Sequence, residues 1–306
     1  MFSLDVFYTG LLSIILMVLV GIILGKTKLW PQNINRTVSN ILLTVAMPCA
    51  LFMAFPQSFD QDLLALFLQS LGFSVLAFAI IITVSRLILS KKLVKKSHNI
   101  HQFAFVFNNA SFIGFPLVLT TFGPEGLIPY AGLMFVFSIL LFSYGVFLIE
   151  KKFSPKHIIT IILNPNIIAV TLGLLVFLFS VQLPEFSNNA IRHLGSMTTP
   201  LSLLLIGAIL SQANWLKLLK KKQLFITCTL QLLLVPTIMF VILTLLGAPL
   251  LIRQVLVIIQ ALPTATSLAL FAEKYKDDVV EASSLVFIST ILSVITLPLI
   301  VFLYFR

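Results

Sequence analysis

Residues 101–123 read HQFAFVFNNASFIGFPLVLTTFG, and residues 253–275 read RQVLVIIQALPTATSLALFAEKY. Both stretches are mainly apolar, and each contains a cluster of amide, hydroxyl, glycine and proline residues that is unfavourable for a continuous helix. The clusters consist of Asn108, Asn109, Ser111, Gly114 and Pro116 in the first stretch, and of Gln260, Pro263, Thr264, Thr266 and Ser267 in the second. The sequence therefore predicts two apolar helices that are interrupted near their middles.

The rest of the chain is equally apolar. Of its 306 residues, 59% are hydrophobic and 10% are charged, whereas a soluble domain is about 25% charged. A helix needs about 20 mainly apolar residues to cross the hydrocarbon core of a membrane. Uncharged stretches of at least 19 residues occupy positions 6–25, 37–59, 63–85, 97–124, 126–149, 157–184, 193–216, 223–252, 254–272 and 282–305. The composition excludes a soluble protein and predicts an all-α polytopic membrane protein with ten transmembrane helices.

The basic residues predict how these helices are oriented. Seventeen of the 20 Lys and Arg residues fall in alternate loops, and the other loops and the C-terminus hold Arg192, Arg253 and Arg306. Because cytoplasmic loops of membrane proteins are enriched in Lys and Arg, the basic side is predicted to be cytoplasmic and both termini extracellular. The same clustering between spans accounts for the net charge of +10 without a nucleic-acid partner.

The sequence offers no signature of metal or enzyme chemistry. Cys49 and Cys228 each lie within a predicted span, without Cys or His at the spacing of metal ligands. No HExxH or GxSxG motif is present in the predicted bundle, and no pair of carboxylates lies there. We therefore expect no metal site, no cofactor and no enzymatic activity.

A constant offset of 152 residues relates the two halves of the chain. Four pairs of helix-bending or polar residues follow it: Gly21 and Gly173, Pro48 and Pro200, Gln102 and Gln254, and Asn108 and Gln260. Chance coincidence is the alternative, because Gly and Pro are frequent in membrane helices. Residues 1–150 and 151–306 would each contain five spans, so the second repeat is predicted to enter the membrane in the opposite sense.

Two interrupted helices related by such a repeat would cross near the middle of the membrane. Free N–H groups and the positive ends of half-helices would then point to one place and attract an anion. Side-chain amides can donate to a carboxylate without a fixed charge that must be buried when the site is empty. The alternative is that these polar groups only bond across helix interfaces. The predicted substrate-binding residues are Asn108, Asn109, Gln260, Pro263 and Thr264, and those predicted to shape the helices are Gly114, Pro116, Pro48 and Pro200.

Five segments resemble the recurring motifs of the auxin efflux carrier family, which includes plant PIN auxin exporters and bacterial malate or malonate permeases. They are INRTVSNILLTVAMPCALF (34–52), NNASFIGFPLV (108–118), NPNIIAVTLGLLV (164–176), PLSLLLIGAIL (200–210) and ALPTATSLALFAEKY (261–275). The resemblance runs over essentially the whole chain. The long cytoplasmic loop of many plant members has no counterpart here, because residues 150–156 alone join the two halves.

The resemblance implies a fold of two inverted five-helix repeats with crossing fourth and ninth helices. It also implies a scaffold formed largely by helices 1, 2, 6 and 7, elevator-like movement of the other helices, and a homodimer. Substrate contact is implied at the asparagine matched by Asn108 or Asn109, and near Pro263. The function expected is secondary transport of a small organic anion, such as malate, malonate or an auxin-like acid, across the plasma membrane.

The ion that drives transport is left open by the sequence. No Asp or Glu lies within the ten uncharged stretches, which disfavours coupling through a buried acid. His101 and His193 could relay protons but fall near predicted helix ends, and backbone carbonyls at the interruptions could hold sodium. The alternative is therefore a sodium- or proton-coupled organic anion symporter with a fold like that of bile-acid symporters. A channel is a further alternative.

Overall fold

The computed structural model describes residues 4–31, 33–89, 97–152, 155–211 and 222–305, and these residues form helices joined by short turns. Within those ranges the only β-structure is one isolated bridge, so the predicted all-α class is confirmed. The α-helices are α1 (Leu4–Lys26), α2 (Ile34–Ile41), α3 (Met47–Phe52), α4 (Gln61–Ile88), α5 (His98–Val106), α6 (Phe115–Phe122), α7 (Leu127–Leu140), α8 (Val146–Glu150), α9 (Pro155–Ile162), α10 (Pro165–Leu178), α11 (Glu185–Ser196), α12 (Thr198–Ser211), α13 (Lys222–Thr229), α14 (Val235–Leu245), α15 (Leu250–Gln260), α16 (Ser267–Lys274) and α17 (Val279–Tyr304).

Six helical segments among the described residues are long and apolar enough to cross a membrane. They are Leu4–Lys26, Gln61–Ile88, Ala110–Glu150, Glu185–Ser211, Lys222–Leu245 and Val279–Tyr304. Two shorter apolar helices, Pro165–Leu178 and Leu250–Gln260, accompany them. The chain is thus a multi-pass membrane protein, while the count of ten spans stays a prediction.

Single turns of π-helix widen several of the long segments. They occupy Leu42–Ala46, Ala110–Gly114, Leu141–Gly145 and Leu230–Leu234. Pro48, Pro116 and Pro236 each follow one of these turns by two residues. Proline lacks an N–H donor and its ring collides with the carbonyl group four residues earlier, so a wider turn relieves the collision. Pro48 and Pro116 therefore coincide with widened turns and not with helix ends.

The chain divides into two compact units, each of which takes segments from both halves of the sequence. The first unit consists of Met1–Ser70, Ser111–Ser138 and Ile162–Ala213. The second consists of Leu71–Ala110, Ile139–Ile161 and Asn214–Arg306. The predicted repeats, 1–150 and 151–306, describe a relation between sequence segments and not these compact bodies, so they stay a prediction.

In the first unit, glycine allows pairs of helices to approach at backbone distance. A Cβ atom on Gly21 of α1 would collide with the carbonyl oxygen of Leu204 in α12. A Cβ atom on Gly173 of α10 would lie 2.9 Å from the carbonyl oxygen of Phe52 in α3. Small residues at such crossings are typical of helix packing in membranes, where association depends on close van der Waals contact.

The second unit contains a connected group of phenylalanine rings beside the end of α5. The ring centroids of Phe103 and Phe107 lie 4.8 Å apart, and those of Phe78 and Phe107 lie 6.3 Å apart. Phe271 of α16 contacts Phe103 at 5.9 Å in an edge-on arrangement. Phe103 and Phe107 are fully buried, so these rings pack the interior and hold the end of α5 in place.

Candidate functional site

Both interruptions predicted from the quoted stretches are present in the backbone. α5 ends at Val106, Phe107 is extended with φ −107° and ψ 109°, and helical structure resumes at Ala110. α15 ends at Gln260 and α16 begins at Ser267. The first interruption is therefore three residues long, 107–109, and the second is six residues long, 261–266. We call these two segments together the crossover.

The first interruption lies earlier in the chain than its proline. Pro116 lies inside α6, which continues directly from the π-turn that ends at Gly114, and both residues are buried. The carbonyl oxygen of Phe112, four residues before Pro116, accepts a hydrogen bond of 2.8 Å from the Ser202 hydroxyl. Since Pro116 cannot donate to that carbonyl, a serine from another helix of the first unit satisfies it. The helix is thus broken at the asparagines and only reshaped at the proline.

The two interruptions bind each other as a short antiparallel pair within the second unit. The N–H group of Ala265 donates to the carbonyl oxygen of Phe107 at 2.9 Å, and that of Asn109 donates to Pro263 at 2.6 Å. Between these bonds an isolated bridge pairs Asn108 with Thr264. Backbone groups away from water need partners, and these bonds replace those that the helices give up.

Two side-chain amides meet at the crossover. Nδ2 of Asn108 donates to Oε1 of Gln260 at 2.7 Å, and both residues are 2% exposed. Among the described residues, Oδ1 of Asn108 and Nε2 of Gln260 have no hydrogen-bond partner. If both amides were turned over, the pair would still leave one donor and one acceptor free. Each unsatisfied buried group costs about 1–3 kcal/mol, so a group that bonded to both atoms would stabilise the pair.

A separate set of contacts holds the second interruption in its extended shape. The Thr264 hydroxyl donates to Oε1 of Gln231 at 2.9 Å, and its backbone N–H donates to the Ser289 hydroxyl at 3.0 Å. Nε2 of Gln231 donates to the carbonyl oxygen of Leu262 at 3.2 Å. All three side chains are buried to at least 99%. The sequence predicted that the Thr264 hydroxyl binds substrate, whereas here it is hydrogen-bonded to Gln231.

The remaining predicted residues are divided between the two units. Asn109 is 3% exposed and belongs, like Pro263, to the crossover of the second unit. Pro48 and Pro200 belong to the first unit. Pro48 is half-buried within α3, and Pro200 is exposed at the third residue of α12, where a missing N–H costs little.

Gln231 and Ser289 were not among the predicted site residues. Gln231 was detectable as an amide inside an apolar stretch, residues 223–252, whose first residue is also a glutamine, since a buried amide in a membrane helix requires a partner. Ser289 carried no comparable signal, because serine hydroxyls commonly bond to their own helix. The Ser289 hydroxyl also bonds to its own helix, because it donates to the carbonyl oxygen of Val286 at 3.0 Å. Its oxygen accepts a second hydrogen bond from the backbone N–H group of Thr264.

Removal of the Ser289 hydroxyl is expected to destabilise the crossover. Ser289→Ala leaves the buried N–H of Thr264 without its acceptor, and the expected loss of stability is about 1–3 kcal/mol. Thermal unfolding of the purified protein in detergent measures this change. Ser293→Ala is the matched control, because Ser293 is also buried in α17 and donates to Thr290 of the same helix. Equal melting temperatures for the two variants would contradict the role given to Ser289.

Comparison with known proteins identifies the family of this chain. Residues 6–301 match the family described as membrane transport protein. The chain is also similar to an uncharacterized transporter of Methanocaldococcus jannaschii, with 24% identity over 299 residues. That alignment covers 94% of this chain and 96% of the relative.

Proposed function

Because this chain belongs to the membrane transport protein family, the auxin efflux carrier family, we propose that it is a secondary transporter for a small organic anion. The substrate class is a carboxylate such as malate, malonate or an auxin-like acid, carried across the plasma membrane by alternating access at the crossover. The observation that carries this proposal is the buried Asn108–Gln260 pair, with one amide donor and one amide acceptor left free.

The chemistry of the pair favours an anion that also carries a hydrogen-bond donor. The free amide N–H group suits a carboxylate oxygen, and bonds to a charged partner are the stronger kind. The free carbonyl oxygen suits a hydroxyl or ring N–H group, which malate and an indole acid possess and malonate lacks. Helical structure that begins at Ala110 and Ser267 adds a favourable field for negative charge. None of these groups leaves a charge behind when the substrate departs.

Several relations at an offset of 152 support two inverted five-helix repeats. α5 and α15 begin at residues 98 and 250, and α7 and α17 begin at residues 127 and 279, so both pairs of starts differ by 152. The contact of Gly21 with Leu204 and that of Gly173 with Phe52 are exchanged by the same offset. Asn108 binds Gln260, its own mate, as expected for residues on a pseudo-two-fold axis.

The division into two units supports a scaffold and a moving part. The first unit contains α1–α3 and α10–α12, which correspond to most of the predicted helices 1, 2, 6 and 7. It also contains Ser111–Ser138, which belong to the predicted helices 4 and 5. The crossover lies in the second unit, as a moving substrate site requires. A homodimer and extracellular termini complete the proposal. The termini, residues 1–3 and 306, and many of the basic loop residues, in 90–96 and 212–221, lie outside the described residues.

Transport by purified protein in proteoliposomes tests the proposal. We expect saturable uptake of radiolabelled malate, malonate or indole-3-acetate, and faster uptake when the same compound is trapped inside. Protein-free vesicles are the control, and a parallel series with and without sodium tests the sodium-coupled alternative. Absence of flux for all three compounds would contradict an organic anion carrier, and flux that rises linearly with concentration would indicate a channel.

A further inference from the structure

Arg253 of the second unit is held at a defined position near the start of α15. Its guanidinium carbon lies 5.6 Å from the centroid of the Phe240 ring, and its Nη1 atom donates to the Thr244 hydroxyl at 3.2 Å. Phe240 stacks on Tyr304 with ring centroids 4.4 Å apart and an interplanar angle of 20°. The Tyr304 hydroxyl lies 2.9 Å from that of Thr237. Contacts from α14 and α17 therefore fix the place of this charge.

The sequence of α14 accounts for these contacts. Thr237, Phe240 and Thr244 follow one another at intervals of three and four residues, which is the spacing of neighbours on one face of a helix. α14 ends at Leu245 and α15 begins at Leu250, so a short turn brings α15 back alongside that face. The Arg253 side chain is half-buried as a result.

Among the described residues, Arg253 is the one charged side chain at its end of the second unit. The other charged residues of the unit lie at the opposite end, where α4, α8 and α16 end, where α5, α13 and α17 begin, and where Lys151 pairs with Asp277 at 3.6 Å. They are Arg86, Glu150, Lys151, Lys152, Lys156, Lys222, Glu273, Lys274, Lys276, Asp277, Asp278 and Glu281. The sequence contains no Asp or Glu in residues 186–272. No acid of α14 or α15 therefore neutralises the guanidinium, which gives this end of the unit a positive potential.

Arg253 lies on the same face of α15 as Gln260, whose amide belongs to the crossover. α15 is continuous from Leu250 to Gln260. Seven residues of α-helix make almost two full turns and rise about 10 Å, so the backbone positions of Arg253 and Gln260 are aligned along the helix axis. Arg253 is the nearer of the two to the end of the unit. A charge at this distance acts on the crossover through the protein and the membrane, which screen it less than water does.

We propose that Arg253 attracts the anionic substrate to the crossover and makes the carrier prefer anions of higher charge. This role rests on the proposed function and adds its charge selectivity. The amides of Asn108 and Gln260 are neutral, so the fixed positive charge of the guanidinium supplies the dependence on ligand charge. Electrostatic energy is proportional to the charge of the ligand. The factor by which Arg253 strengthens the binding of a monoanion is therefore squared for a dianion.

Equilibrium binding of radiolabelled malate and indole-3-acetate to the full chain in detergent tests this role. At about pH 7 carboxylic acids with ordinary pKa values are ionised, so malate is a dianion and indole-3-acetate a monoanion. Over about 10–15 Å, one unit charge changes affinity by roughly 2- to 15-fold at effective dielectric constants of about 20–80. Arg253→Gln is expected to weaken indole-3-acetate binding by such a factor and malate binding by about its square.

Salt is expected to reduce both effects. The screening length falls from about 10 Å at 0.1 M ionic strength to about 3 Å at 1 M. The affinities of Arg253→Gln and the unaltered protein should therefore converge at about 1 M salt. A loss of affinity caused by altered packing would persist at both salt concentrations.

Further variants separate charge from packing. Arg253→Lys keeps the positive charge without the planar group that covers Phe240, and it is expected to keep the preference for malate. Arg253→Met is a second neutral variant with a long apolar side chain, and it is expected to behave like Arg253→Gln. Arg192→Gln is the matched control, because it removes an exposed positive charge from α11 of the first unit, and it is expected to leave both affinities unchanged.

The outcomes distinguish this role from the proposed function. Unchanged affinities in Arg253→Gln and Arg253→Met, with only a lower melting temperature, assign Arg253 to packing or to lipid headgroups and overturn the inference. Equal losses for malate and indole-3-acetate, or an equal effect of Arg192→Gln, also overturn it. If the unaltered protein binds one of the two ligands, a loss in Arg253→Gln that salt does not reduce overturns it as well. Absence of binding of malate, malonate and indole-3-acetate by the unaltered protein contradicts the proposed function itself.

Discussion

Replacement of Gln260 with Leu is expected to lower the apparent affinity for malate by roughly 10- to 100-fold in proteoliposome uptake. The substitution removes the free amide N–H group at the crossover, and a hydrogen bond to a charged group contributes about 1.5–3 kcal/mol, with about 1.4 kcal/mol for each tenfold change. Leucine is close to glutamine in size, so the packing around α15 is retained. The affinity is measured from the concentration dependence of the initial uptake rate.

Gln254→Leu is the matched control for this variant. Gln254 lies in the same helix, six residues earlier, and is half-buried. Asn108→Leu gives an independent check, because it removes the acceptor and should weaken malate and indole-3-acetate more than malonate. If Gln260→Leu and Gln254→Leu transport with the same affinity, the free amide of Gln260 has no part in substrate binding.

Replacement of Pro263 with Ala is expected to reduce malate exchange by roughly 10- to 100-fold. Proline is about 3 kcal/mol less favourable than alanine inside a helix, so its removal allows α15 to extend toward α16. An extended helix would withdraw the carbonyl oxygen of Pro263 from the N–H group of Asn109 and close the crossover. The rate of counterflow at saturating malate measures the fraction of protein that keeps the interruption.

Pro298→Ala separates this effect from a general effect of proline loss. Pro298 lies inside α17, which is continuous from Val279 to Tyr304, so its replacement removes a proline without touching an interruption. Transport by Pro298→Ala is expected to equal that of the unaltered protein. Full activity of Pro263→Ala would show that the pairing of the two segments alone fixes the interruption.

The interruptions were predictable because they depend on local chemistry. Amides, hydroxyls and proline within an apolar stretch oppose a continuous helix, and the offset of 152 indicated that Asn108 and Gln260 correspond. The exact break was less predictable. The rule that proline interrupts a helix suggested a break near Pro116. The observed break at 107–109 depends instead on pairing with residues 261–266, which is a long-range contact that no local sequence pattern contains.

The residues that hold the crossover in place were harder to predict than the two interruptions themselves. Gln231 and Ser289 act through their distance to Thr264, which depends on how three helices pack. Counting uncharged stretches leaves Glu281 outside the predicted span 282–305, because an acid ends such a stretch. The helix instead begins two residues earlier, at Val279, because Asp278 caps it. Charge spacing therefore indicates membrane segments well but misjudges acids at their margins.

In the proposed mechanism, the neutral character of the Asn108–Gln260 pair also affects how quickly the substrate dissociates. An arginine that forms two hydrogen bonds to a carboxylate would bind it more tightly. Among related complexes, differences in affinity come mainly from the dissociation rate. Two uncharged contacts give a shorter residence time at the same encounter rate. A transporter that must release its substrate in every cycle therefore turns over faster when binding is weak.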